Sequence, residues 1–259
     1  MSALLQGDIA IVTGSDSGIG QASAIALARE GADVVVTWFG DREGAGRTAE
    51  AVRGHGRRAL EVRLDVRDPQ SVEQLFERAV RELGTPTILV NNAGIDSVSA
   101  NVKDMRIEDW DRTLRTNLYG PFFCCQQFIR RIEGSGRHGS IVNITSVHQE
   151  VPRAGGSAYD VSKGGLRNLT RTLALELAQK DINVNNVAPG MILTPMNQEA
   201  LDDPQARERQ VQSIPMKRAG RPEEIAEAVV FLASPKARYV HGTTLMIDGA
   251  LTLFLGQGA

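Results

Sequence analysis

The sequence predicts an α/β protein, a parallel sheet of seven strands with helices covering both faces. Three observations carry this. Short apolar runs alternate with amphipathic stretches along the chain, the pattern of repeated strand–helix–strand units. Runs such as Val34 to Val36 are apolar at every position, as strands buried on both faces must be. The first strand closes in a glycine-rich turn, TGSDSGIG over 13–20, that opens directly into a helix.

The elements follow in order. DIAIVTG (8–14) is a buried strand ending on a glycine, and 18–31 is a helix that is small on one face and closed by Gly31. DVVVTWF (33–39) is the second strand, followed by a glycine-broken helix over 42–56. ALEVRLDV (59–66) is the third strand. The helix over 69–83 starts with proline in its first turn, where the missing N–H has no cost. TILVNNAG (87–94) is the fourth strand, and one long helix is expected over 106–132. SIVNITS (140–146) is the fifth strand, with a helix over 156–180. INVNNVAPG (182–190) is the sixth, with a helix over 222–233, and GTTLMID (242–248) is the last. The segment 191–221 breaks the alternation. It is polar, carries three prolines, and reads as a flap over a site. No linker or repeat divides the 259 residues, so a single domain over 1–259 is expected.

Composition excludes several functions. A formal net charge of -2 gives no nucleic-acid footprint, and the 24 arginines are interspersed with acids. Cys124 and Cys125 are adjacent and offer no disulfide framework, and the four histidines lack zinc-ligand spacing, so no metal is expected. The N-terminal stretch has neither a basic leader nor a long apolar run, and a cytoplasmic protein without membrane attachment is expected.

Gly14, Gly18 and Gly20, with Ser15, Ser17 and Ile19 between them, suit a turn whose backbone approaches a pyrophosphate at a helix N-terminus. The other reading is a tight strand–helix turn that needs glycine for packing. An acid at the end of the second strand would bind a ribose 2′-hydroxyl and repel a 2′-phosphate. Here the strand ends Thr37-Trp38-Phe39, and Asp41 and Arg42 in the loop point to opposite preferences. NAD and NADP both remain open. The absent acid leans toward NADP, with the hydroxyls of Ser15 and Thr37 and the charge of Arg42 near the phosphate. Asp65 and Val66, after the third strand, sit where an adenine edge could meet a carboxylate.

TGSDSGIG, NNAG at 91–94, Asn117 in RTNLYG, Ser146 in NITSV, YDVSK at 159–163 and APG at 188–190 occur in the order of the short-chain dehydrogenase/reductase family. The chain resembles that family from 7 to 250. TSVHQEVP, SKGG, GRPEEIA and DGALTLF carry a closer likeness to bacterial glucose 1-dehydrogenases. The resemblance implies a Rossmann-type doubly wound sheet, hydride transfer between a nicotinamide and an alcohol or carbonyl without metal, and a homotetramer. The subunits would meet through helices 106–132 and 156–180 and the C-terminal edge, with the apolar tail LTLFLGQGA against a neighbour.

On this likeness the catalytic set is Asn117, Ser146, Tyr159 and Lys163. A tyrosine is a weak base near neutral pH, and a nearby ammonium favours its phenolate. Residues four apart on a helix are rotated by about 40°, so Lys163 stands close enough to act on Tyr159. Tyr159 is then the general acid–base, and Lys163 also reaches the cofactor ribose. Ser146 would bond the substrate oxygen, and Asn117 would hold a water in the proton path. Taken alone, Ser146 reads as a hydroxyl bonded to its own backbone, and Asn117 as a helix side chain bonded to a neighbouring backbone group. Asn92, Ala93 and Gly94 fit the adenosine side. Pro189, Gly190, Ile192 and Thr194 would bracket the nicotinamide. Asp96, Ser146, His148, Glu150, Tyr159 and Asn197 are the candidate substrate contacts, a polar set suited to a small polyhydroxylated alcohol such as a sugar. A ketoreductase for acyl or small ketones, and a non-catalytic redox sensor, are the alternatives. Asp160 stands where the family usually has a small residue. It either competes for Lys163 or turns outward to Arg167 or to a neighbouring subunit, and the outward reading is favoured.

Overall fold

The computed structural model describes residues 3–254. Seven parallel strands form one sheet in the order β3-β2-β1-β4-β5-β6-β7. They are β1 (Ile9–Val12), β2 (Asp33–Trp38), β3 (Ala59–Arg63), β4 (Ile88–Asn91), β5 (Gly139–Ile144), β6 (Ile182–Pro189) and β7 (Thr244–Ile247). The helices that connect them are α1 (Gly18–Arg29), α2 (Arg42–Gly54), α3 (Pro69–Glu82), α4 (Ile107–Leu114), α5 (Gly120–Ile132), α6 (Ser157–Leu177), α7 (Gln198–Asp202), α8 (Pro204–Val211), α9 (Pro222–Ala233) and α10 (Leu251–Phe254). The tail residues 255–259 lie outside the described residues.

The strands build two cores because successive side chains point to opposite faces. Ala10, Val12, Val34, Val36, Ile88 and Val90 bury against α1, α2 and α9. Ile11, Val35, Leu60, Leu89, Ile141 and Val184 bury against α3, α5 and α6. The continuous apolar runs of the sequence are two interleaved faces. Each strand is shorter than its run, because the last few residues leave the ladder to form loops. Those loops gather at the C-terminal edge, and the strand order reverses between β1 and β4. That crevice is where open sheets of this kind hold ligands.

Two expectations need correction. The long helix over 106–132 is interrupted: α4 and α5 are joined by a π-helical turn at Arg115–Tyr119. The segment 191–221 is less irregular than its texture, since it carries α7 and α8 and is tied back by a bridge between Ile192 and Gly220. No helix among the described residues is long and apolar enough to cross a membrane.

Candidate active site

A cleft of about 960 Å³ opens along the C-terminal edge of the sheet. Its first wall is backbone. Gly14 and Gly18 adopt φ of +61° and +54°, which favour glycine. A Cβ on Gly20 would lie 2.1 Å from the Gly14 carbonyl oxygen. The side chains of this wall bind its own main chain. Thr13 Oγ1 accepts from the Asn92 and Ala93 N–H groups, both at 3.0 Å, and Asn92 Nδ2 donates to the Thr13 and Gly14 carbonyls at 2.9 and 2.8 Å. Thr37 Oγ1 accepts from Gly14 N at 3.0 Å and donates to Val12 O at 3.1 Å. Ser15 Oγ is fully buried, accepts from Thr37 N at 2.8 Å and donates to Val12 O at 3.0 Å. The Ser15 and Thr37 hydroxyls therefore brace the turn.

At the first turn of α1, Ser17 stands at the N-cap without a side-chain hydrogen bond to the helix. Its exposed N–H groups, framed by glycines, fit a dinucleotide pyrophosphate. Thr194 closes this end, since a Cβ on Gly18 would stand 3.2 Å from its Cγ2.

The second group stands where α4, β5 and α6 converge. Asn117 lies in the π-helical turn, a distortion common at functional positions. It is buried, accepts from Ile95 N at 2.9 Å, and donates to Ile95 O at 2.8 Å and Ser162 Oγ at 3.2 Å. Ser146 ends the β5 loop and accepts from His148 N at 3.2 Å. Tyr159 and Lys163 project from α6, with Lys163 Nζ 5.5 Å from the Tyr159 ring centroid. Lys163 Nζ donates to Ile144 O at 2.9 Å. Burial brings its ammonium down to about 8. Burial also pushes the Tyr159 phenol up to about 12, while the Ser146 hydrogen bond pulls it down. Asp96 and Asp160 raise it further, and Arg153 opposes them.

The third group lies on the other wall. His148 Nδ1 is 2.8 Å from Val151 O, so in the neutral ring that nitrogen carries the proton and Nε2 is left as an acceptor. Asp96 pairs with Arg153. Asn197 Nδ2 donates to Ile192 O at 2.7 Å. Glu150 faces Arg167 at 3.4 Å.

Asp160 turns neither to Lys163 nor to Arg167, which corrects the outward reading. It is buried, and Oδ2 accepts from Arg153 N at 2.8 Å. The glycines of the preceding loop bring that N–H back over the helix start, and sequence spacing carries no sign of it.

At the end of the cleft beside β2 and β3, Asp65 is held by Arg67 through contacts of 2.8 and 2.7 Å. The Arg67 guanidinium carbon lies 5.1 Å from the Phe39 ring centroid. Asp16 also lines this end, its carboxyl raised by burial and by the neighbouring charge of Asp41.

The cleft brings together most of the expected residues: Gly14, Ser17, Gly18, Ile19, Thr37, Asp65, Val66, Asn92 to Gly94, Asp96, Ser146, His148, Tyr159, Lys163, Pro189, Gly190, Ile192, Thr194 and Asn197. Ser15, Gly20, Asn117 and Glu150 stand behind or beside it. Sequence reasoning missed Asp16, Arg67 and Arg153 as lining residues. Asp16 sits inside the glycine motif and was available to it. Arg67 follows Asp65 by two positions and could have been weighed as its partner. Arg153 had no local signal.

A family model described as enoyl-(acyl carrier protein) reductase matches residues 14–252. Glucose 1-dehydrogenase 2 of Bacillus subtilis is 40% identical over 253 residues, covering 98% of each chain. The crystal structure of acetoin dehydrogenase from Enterobacter cloacae superposes with a TM-score of 0.89 at 41% identity, covering 97% of this chain and 98% of that one. A relative from Agrobacterium tumefaciens, solved with NADP bound, superposes with a TM-score of 0.88 at 36% identity, covering 97% of this chain and 99% of that one.

Proposed function

The chain belongs to the short-chain dehydrogenase/reductase family, NAD(P)-dependent oxidoreductases acting on alcohol and carbonyl groups, and on that premise we propose that it interconverts a small polyhydroxylated alcohol and its carbonyl form. The observation that carries this reading is the polar cluster facing Tyr159: Ser146, the acceptor nitrogen of His148, and the Asp96–Arg153 pair. Each can meet a substrate hydroxyl, and a site of buried polar groups discriminates against ligands that leave them unpaired. The cofactor, when bound, accepts or returns the hydride. Tyr159 takes the hydroxyl proton as the alcohol is oxidised and returns it in the reverse direction. Ser146 donates to the substrate oxygen as its charge changes. Asn117, fixed on both polar atoms to Ile95, holds the π-helical turn in register behind the tyrosine and supports the proton path.

The preferred cofactor in this reading is NAD. The lean toward NADP rested on the missing strand-end acid, on the Ser15 and Thr37 hydroxyls and on the charge of Arg42. Those hydroxyls brace the turn, and Asp16 and Asp41 supply negative charge at that end. The Asp16 carboxylate lining the cleft opposes a 2′-phosphate, while Asp41 caps α2 and pairs with Arg47. Asp16→Ser is expected to raise affinity for NADPH relative to NADH about tenfold, read by fluorescence titration of both. An unchanged ratio overturns the preference.

A homotetramer is part of the same reading. Tyr119 and Phe122 near the start of α5, and Val161 and Leu175 on α6, are large apolar side chains left exposed. Faces of this kind favour burial against other subunits. A monomer mass in solution overturns it.

The test of function is a spectrophotometric screen with NAD and NADP against glucose, gluconate, simple polyols, acetoin and cyclohexanol. Turnover with polyols and its loss in Tyr159→Phe, with cofactor affinity retained, is the expected result. A preference for acetoin or cyclohexanol over every polyol rejects the substrate class. A Phe variant that keeps most of its kcat rejects the acid–base role.

A further inference from the structure

Arg153 is anchored three ways. Its backbone N–H donates to Asp160 Oδ2 at 2.8 Å. Its guanidinium pairs with Asp96 in the loop after β4. Its guanidinium carbon lies 5.4 Å from the Tyr159 ring centroid, within range of a cation–π contact. The loop is shaped to lay the side chain flat. A Cβ on Gly156 would fall 2.5 Å from Arg153 Cγ and 2.7 Å from Nε. Gly155 takes φ of +81°, and its carbonyl accepts from Ala100 N at 3.1 Å, which joins this loop to the one carrying Asp96.

Asp160 is the second reason to look here. It is a buried carboxylate whose Oδ1 has no hydrogen-bond partner among the described residues. Among the described residues its one ion pair is with Arg153 Nε at 4.0 Å. A buried carboxylate beside a catalytic phenol is unfavourable for ionising that phenol unless a cation offsets it.

We propose that Arg153 is a positioning residue for the alcohol–carbonyl reaction, held over Tyr159 to offset the carboxylates of Asp96 and Asp160. The charged and titratable groups facing the tyrosine are Lys163 and Asp160 from α6, His148 from the segment after β5, Asp96 from the segment after β4, and Arg153 itself. Lys163 also stands over the ring, with its Nζ donating to Ile144 O, and Arg153 is the cation that pairs with both carboxylates as well as facing the ring. Without it the two carboxylates lose their paired cation, and Tyr159 gives up its proton less readily.

The proposal rests on Tyr159 being the general acid–base, and its test keeps the two separable. Arg153→Gln and Asp96→Asn are compared with wild type by the pH profile of kcat/KM for alcohol oxidation. The phenol-carbon resonance of Tyr159, one of three tyrosines, is followed by NMR in parallel and assigned with Tyr159→Phe. In Arg153→Gln the acid limb moves to higher pH by about one unit, whatever the height of the variant's own plateau. In Asp96→Asn the limb moves to lower pH, and Arg153→Lys recovers part of the Gln shift. The Tyr159 resonance titrates in the same two directions. Unmoved limbs with a lowered plateau, or shifts of the same sign in both variants, overturn the proposal and leave Arg153 a structural strut. If Tyr159→Phe is inactive and the Gln limb stays put, only this inference falls. If Tyr159→Phe keeps turnover, the acid–base reading falls and takes this one with it.

Discussion

The two walls of the cleft are built from different materials. On the cofactor side, backbone meets backbone: glycines pack against carbonyls, and Ser15, Thr13 and Thr37 bond main-chain groups only. On the substrate side, loops far apart in sequence are joined by side chains, chiefly Asp96, Arg153 and Asp160. The first wall cannot shift without breaking the β1–α1 junction. The second can change its chemistry by exchanging side chains while the sheet stays as it is. In the proposed reading the wall that holds the cofactor is thus rigid, and the wall that meets the substrate is adjustable.

The sharpest way to break this comparison is one methyl group on the cofactor wall. In Gly20→Ala the new Cβ would lie 2.1 Å from the Gly14 carbonyl oxygen and 2.4 Å from Asn92 Nδ2. Neither is free to yield, because Asn92 is fixed to the Thr13 and Gly14 carbonyls. The expected cost is about 3 kcal/mol, appearing as a cofactor Kd raised ~100-fold or as a comparable loss of stability. Titration with NADH and a melting curve read both. Normal binding with normal melting would refute the backbone account of this wall.

The same contrast explains what the sequence made legible. Glycines required by backbone contacts are local, so the motif 13–20 placed the turn, and apolar runs placed all seven strands. Tyr159 and Lys163 were legible because their spacing is itself the geometry. Asp160 was misread because its partner is the backbone of Arg153, brought back by the loop with Gly155 and Gly156. Helical spacing gives an angle around the axis, but it says nothing of a loop folding over the helix start. The π-helical turn at Asn117 was missed for a related reason. An extra residue in one helical turn rotates the apolar pattern that follows by about 100°, a phase shift that a segment this short does not make plain.

A methyl group on the other wall gives the matching, smaller test. Gly156 has an ordinary φ of -97°, and an added Cβ would meet the Arg153 side chain rather than backbone. A flexible side chain can swing away. Gly156→Ala is therefore expected to leave cofactor Kd unchanged and lower kcat/KM about tenfold, by moving the guanidinium off Tyr159. A change in cofactor Kd as large as that of Gly20→Ala would erase the distinction between the walls.

The smallest effect is expected at the seam, where Lys163 hangs between β5 and the tyrosine. Its charged form is disfavoured by burial, with a native value of about 8 against 10.5 for the free side chain. Between those values the unfolded chain holds more protons than the folded one, so stability rises with pH across that window. Below pH 8 the folded state carries the full cost of the buried ammonium. Lys163→Met removes that cost, but it also removes the hydrogen bond to Ile144 O and leaves a buried carbonyl unpaired. The net gain is expected to be about 1 kcal/mol, or roughly 2–4 °C in Tm, near pH 7. It should shrink through the window and turn into a net loss above it, where only the missing hydrogen bond remains, while activity is lost throughout. A variant that melts lower than wild type at pH 7 would mean that the Ile144 bond outweighs the burial of the charge. The lysine would then be a structural tie between the walls as well as part of the site.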